Sequence, residues 1–121
     1  MADNKQYITQ EQEHGLVMIS EDVIATIALH ALNDIDGFAG LAAKPGADIV
    51  EILGKIWGKG LRIQIAADNA LTISCNVVVK YGYSVMDVAA AVQSGVCSAV
   101  ESMTGVEVKA VNVNVCGIER Q

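Results

Sequence analysis

Hydrophobic positions change period twice between Leu71 and Gly117. Leu71, Ile73, Cys75, Val77 and Val79 alternate with Thr72, Ser74, Asn76, Val78 and Lys80. That two-residue period predicts a half-buried strand. After Tyr81-Gly82-Tyr83 the spacing becomes helical, with Val85, Val88, Ala89, Val92, Val96, Ala99 and Met103 on one stripe. Ser84 and Asp87 form a capping box at the start of this helix. Gly105 suits the position just past its end, where a left-handed residue is favoured. A valine-rich strand follows, but its phase slips. Val106, Val108 and Ala110 share one parity, whereas Val111, Val113 and Val115 share the other. A bulge near Lys109–Ala110 reconciles the two halves, and it turns Asn112 and Asn114 away from the core.

The upstream pattern is shorter but similar in kind. Leu16 to Ile19 predict a strand, and Ser20 caps a helix over 21–33 with Glu21 and Asp22 at its positive end. Ile24, Ile27, Ala28 and Ala31 give that helix its apolar stripe. Asn33 to Gly40 reads as a helix-ending loop, and Lys44-Pro45-Gly46 as a second loop. A further helix is expected over 48–57, with Asp48 and Glu51 as its capping box and Gly58-Lys59-Gly60 as its stop. Leu61, Ile63 and Ile65 alternate with Arg62 and Gln64, and Asp68-Asn69-Ala70 signals a turn. Residues 61–80 therefore read as a hairpin. The first residues are polar and aperiodic, so 1–14 are expected to be a flexible N-terminal arm and 15–118 a single domain.

These elements predict an α+β fold with two layers, helices on one face of a small, mainly antiparallel sheet. In it the 61–80 hairpin pairs with the last strand and the 84–103 helix packs across them. The other sheet face then collects Arg62, Gln64, Thr72, Ser74, Asn76, Asn112 and Asn114. Such a face is either plainly solvated or a surface for a partner. Its neutral, amide-rich chemistry suits protein better than phosphate.

Composition narrows the function. The 121 residues carry a formal net charge of -6 and are 52% hydrophobic, with one Trp, one Phe and three Tyr. An acidic chain is repelled by phosphate backbones and anionic headgroups, which argues against nucleic acid and against direct membrane binding. No apolar run reaches the roughly 20 residues of a membrane span, and the polar start is not a secretory signal. A cytoplasmic location is expected. Three widely spaced cysteines, Cys75, Cys97 and Cys116, fit free thiols in a reducing compartment.

Candidate chemistry is sparse. Gly37-Phe38-Ala39-Gly40 is a G-x-x-G stretch between two expected helices, the position of the backbone clamp in KH domains. It holds no Lys or Arg and follows Asp34 and Asp36, whereas a clamp needs positive charge nearby, so helix termination explains it better. His14 and His30 have no Cys, His or carboxylate at metal-ligand spacing. Gly58-Lys59-Gly60 lacks the remaining glycine and the hydroxyl residue of a phosphate loop. The pattern supports no catalytic, cofactor or metal residue.

Three ordered segments carry a resemblance. They are Gly15 to Ala28 (GLVMISEDVIATIA), Tyr81-Gly82-Tyr83 with the following helix that includes Val92-Gln93, and Met103-Thr104-Gly105 leading to Val111-Asn-Val-Asn-Val115. Over about residues 15–117 the chain resembles the alkaline shock protein family, the envelope stress response proteins of Gram-positive bacteria, and departs from it in 38–60. The resemblance implies a non-catalytic cytoplasmic protein linked to envelope or alkaline stress. It also implies self-association and attachment to the membrane through a separate anchor protein. The expected function is a scaffold or adaptor working through protein contacts. The alternatives are a KH-like RNA-binding module using Gly37–Gly40 and a regulator of a metabolic enzyme.

Overall fold

The computed structural model describes residues 7–42 and 60–120. The helix expected over 48–57 lies outside them. The described elements are β1 (Tyr7–Gln12), β2 (Gly15–Ser20), α1 (Glu21–Asn33), β3 (Phe38–Leu41), β4 (Leu61–Ile65), β5 (Leu71–Lys80), α2 (Val85–Thr104) and β6 (Val108–Glu119). They make the expected small α+β fold.

Strand β5 organises the main sheet. Its first half, Leu71–Cys75, pairs antiparallel with β4, and Val77–Val79 pair antiparallel with β3. β6 runs parallel to β5 along its whole length. A strand has two edges, so β3 and β4 lie end to end along one and β6 fills the other. Parallel neighbours need a crossover of a dozen residues or more, and α2 supplies it.

Alternation sends Leu71, Ile73, Cys75, Val77 and Val79 into the core, where all five are fully buried. They meet Ile24, Ala28 and Leu32 of α1 and a row of valines on α2, Val88, Val92, Val96 and Val100. Four-residue spacing stacks those valines on one helix face. Met103, assigned to the same stripe from its spacing, is instead exposed. It lies in the last turn, three residues past the final buried valine. The α2 caps follow the sequence reading, whereas Ser20 takes the N-cap position of α1 without a side-chain cap hydrogen bond. The Asp87 N–H donates to Ser84 Oγ at 3.4 Å. Gly105 takes φ 74°, and its N–H donates to the Glu101 carbonyl.

The bulge expected near Lys109–Ala110 is present. Leu71 faces Val108 and Thr72 faces Ala110, which leaves Lys109 without a partner on β5. A second irregularity leaves out Cys116, because Val77 faces Val115 and Val78 faces Gly117.

Two expectations need correction. The arm assigned to 1–14 contains β1, which pairs with β2 from Tyr7↔Ser20 to Gln12↔Gly15. Ile8 is fully buried, and Asn69 Nδ2 donates to the Thr9 carbonyl at 3.0 Å, tying the hairpin to the β4–β5 turn. β1 is polar on both faces except at Ile8, so its sequence showed no period. The second correction concerns Gly37–Gly40. Phe38 to Leu41 form β3, so this stretch enters a strand and does not link two helices. The Lys80 N–H donates to the Gly37 carbonyl, which fixes the loop to β5.

Candidate functional site

The polar sheet face is built by register. On β4, Leu61 and Ile63 are buried while Arg62 and Gln64 are exposed. On β5, Thr72, Ser74 and Asn76 point opposite to the core residues. Pairing then brings three strands together in rows. Arg62 faces Ser74, which faces Asn112, and Gln64 faces Thr72, which faces Ala110. Asn76 faces Asn114, whose Nδ2 donates to Asn76 Oδ1 at 3.0 Å. The residues picked out by parity therefore lie on one side of the sheet.

Asn76 differs from the others, being only 2% exposed. Its backbone is spoken for: its N–H donates to the Gly60 carbonyl and its carbonyl accepts from the Ala42 N–H. Its side-chain Nδ2 has no hydrogen-bond partner among the described residues. Asn76 thus supports the face through Asn114 and offers no surface of its own.

Lys109 is a residue of this face that parity reasoning missed. The bulge turns it out of the ladder, and it joins Arg62, Gln64 and Thr72 around an open depression of about 410 Å³ lined also by Ile65, Ala66 and Ala70. The signal for it was the valine phase slip, which located the bulge but did not show where the bulged side chain would go. A second depression of about 460 Å³ adjoins it, between β1 and the turn before β6, and Asp68, Asn69, Glu107 and Lys109 line it.

The remaining candidates do not converge. Burial pushes the Cys75 thiol from its ordinary 9.0 up to about 12. Cys97 is also raised, by burial first and then by the charge and hydrogen bonding of Glu101. Both thiols are held protonated, the opposite of what a nucleophile or metal ligand needs. Among the described residues no group of three or more His, Cys, Asp or Glu could hold a metal ion. No described helix is long and apolar enough to cross a membrane. Nothing in this arrangement points to catalysis.

Comparison with known proteins adds a decisive observation. A family model described as the alkaline shock protein 23 family, with a cell envelope-related function, matches residues 9–120. The chain belongs to this family. The match starts within β1, so the alkaline shock protein 23 region takes in most of the first hairpin as well as the main sheet. Among its relatives, the uncharacterized protein YqhY of Bacillus subtilis is 34% identical over 106 residues, 87% of this chain and 78% of its own. The uncharacterized protein Spy1535 of Streptococcus pyogenes is 34% identical over 86% of this chain and 79% of its own. The uncharacterized protein YloU of Bacillus subtilis is 31% identical, covering 88% and 90%. No solved structure matches the chain.

Proposed function

We propose that the protein is a non-catalytic scaffold or adaptor in cell-envelope homeostasis, and that it contacts a protein partner through the outer sheet face. The family's envelope-related function supports the setting. The observation that carries the contact is the register itself. It aligns Arg62, Gln64, Thr72, Ser74, Asn112 and Asn114 across three strands, with hydroxyl, amide and guanidinium groups side by side. A rigid platform of this kind presents donors and acceptors without a pocket for chemistry. In this reading the protein works in the cytoplasm and reaches the membrane through an anchor protein. Copies of the chain associate with one another through the outer edge of β6. The reading involves no cofactor.

Site-specific photocrosslinking in cells tests it. A photoreactive residue at Ser74 or Asn112 should capture an envelope-associated protein, whereas one at His30, exposed on α1, should not. Capture only from His30, or of soluble metabolic enzymes alone, overturns the proposal.

A further inference from the structure

The β1–β2 hairpin has one buried side and one open side. Cross-strand partners share a side of an antiparallel pair, so the register sets Ile8 with Ile19 on one and Tyr7, Thr9, Glu11, Leu16 and Met18 on the other. Ile8 is fully buried and Ile19 packs against the core, which closes the first side. On the second, Leu16 is 61% exposed, Met18 57% and Tyr7 45%. Leu16 and Met18 stand about 7 Å apart along β2. Tyr7 lies diagonal to Met18 across the pair, about 7–8 Å away. The three make a short apolar stripe. A two-stranded ribbon is marginal in water unless a further strand or a helix packs on it, and among the described residues no third strand pairs with β1 or β2. The charges around the stripe have one sign. Glu11 is the cross-strand partner of Leu16, which puts their Cβ atoms about 5 Å apart. Glu13 sits in the turn between the strands. From residue 7 to residue 42 the chain carries six Asp and Glu and no Lys or Arg.

We infer that the open side of the hairpin docks an amphipathic, basic helix of a protein partner. Its apolar residues lie across Leu16, Met18 and Tyr7, and a Lys or Arg sits beside Glu11. This is a second contact surface, on residues that the proposed sheet-face contact does not use, and it does not depend on that contact. Charge complementarity selects the occupant. An anionic lipid surface is repelled by the same carboxylates. A second copy sets acid against acid, because the matching side of its hairpin carries no Lys or Arg. A partner segment that joins apolar and basic residues satisfies both the stripe and its rim. Geometry favours a helix. Residues four apart on a helix are about 6 Å apart along its axis, close to the step between Leu16 and Met18. A helix also supplies the cover that a two-stranded ribbon needs.

The test titrates the full chain with a helical peptide of Leu and Lys, patterned so that Leu forms one face, and follows backbone amide chemical shifts. Shifts should centre on Tyr7, Leu16 and Met18. Leu16→Ser and Met18→Ser should each weaken binding about five- to tenfold, the loss expected when one partly covered apolar side chain is removed. Glu11→Gln should weaken it about two- to fivefold, in line with an exposed ion pair. Met18→Leu keeps the apolar surface and should bind like the wild type. Met103→Ser, at a side chain 71% exposed on α2, should also leave binding unchanged. All these positions are exposed, so the variants should fold, and their amide spectra confirm it. Two control peptides separate the apolar and the basic requirement. The same Leu and Lys in scrambled order, and the ordered peptide with Glu in place of Lys, should each bind about tenfold more weakly. Equal binding of either control overturns the inference, as do shifts centred elsewhere. Binding to phosphatidylglycerol vesicles that Leu16→Ser/Met18→Ser abolishes assigns the stripe to a membrane surface. A mass by light scattering that falls in the same double variant assigns it to a second copy. Either result overturns the proposal.

Discussion

Asn76 lies on the polar side of β5, is nearly fully buried, and uses only one end of its amide. Whichever way the two amides are turned, the pair shares one hydrogen bond and one polar atom of Asn76 stays unmatched. A buried group without a partner costs about 1–3 kcal/mol. Asn114 is exposed and can turn to water, so the two substitutions should differ. Asn114→Ala leaves both ends of Asn76 unpaired and should cost about 1–2 kcal/mol in urea denaturation. Asn76→Val removes the orphan and should be close to neutral. The reverse ranking would mean that the Asn76 amide is satisfied in solution. Parity put Asn76 on the correct side of the strand, but parity reports direction and not burial. Cys75, by contrast, was readable as core from its alternation, and the fold gives it a consequence in pH. Its thiol is raised from 9.0 to about 12 by burial, so above pH 9 the unfolded chain releases a proton that the folded chain keeps. Stability from this group is complete below about pH 9 and is lost as pH rises towards 12. The wild-type chain should therefore lose up to about 1.4 kcal/mol per pH unit relative to Cys75→Val over that interval. Parallel stability curves for the two proteins would show that Cys75 is not held protonated.

At the scale of elements, what the sequence made legible follows from period. β4, β5, the two described helices and the β6 bulge each carry several apolar residues at regular spacing, and each appears where that spacing placed it. β1 and β3 do not. β3 has four residues, two of them the small Ala39 and Gly40, too few to set a period. β1 has one buried residue, Ile8. The hairpin and the free-arm readings of residues 7–12 separate cleanly on that residue. Ile8→Ala should destabilise the protein by about 2–4 kcal/mol, the usual cost of emptying a core site, while Gln10→Ala should cost under about 0.5 kcal/mol. If Ile8→Ala costs nothing by thermal or urea unfolding, residues 7–12 are not part of the folded unit. The junction before β3 gives a second element-level prediction. Gly37 has φ +90°, and a Cβ there would lie 2.7 Å from Tyr83 Cδ2 and 2.8 Å from Val88 Cγ2. Tyr83 belongs to the Tyr-Gly-Tyr turn that leads into α2, so Gly37 and that turn are fitted to each other. Gly37→Ala should cost about 2 kcal/mol or more through strain and overpacking together. Tyr83→Ala should recover part of that loss in Gly37→Ala, because it removes the nearest clash. Additive losses would place the two residues out of contact.

For the whole molecule, the crossover topology leaves one long edge open. β6 pairs with β5 on one side, and no described strand pairs with the other. From Ala110 to Ile118 the strand has no charged residue and no proline, although charges and prolines are the usual protection of an exposed edge. The second bulge, at Cys116, interrupts the ladder near one end, and the Gln93 side chain donates to the Val111 carbonyl at the other. Between them Val113 and Val115 lie along the edge that no described strand covers, with Val115 36% exposed. Two such edges brought together antiparallel would continue the sheet across a two-fold axis, as edge addition does generally. The polar faces of both copies would then line up, and a scaffold with a modest contact area per chain would present a doubled one. Edge pairing predicts a mass by light scattering that rises with protein concentration towards a dimer. Val115→Lys should hold the mass at that of the 12.7 kDa monomer, since a lysine on the edge carries its charge into any approaching strand. Asn112→Lys would put a charge on the sheet face and not on the edge contact, so it should leave the mass unchanged. A wild-type chain that stays monomeric over a wide concentration range rules out the edge contact. A dimer that Val115→Lys leaves intact moves the contact away from β6.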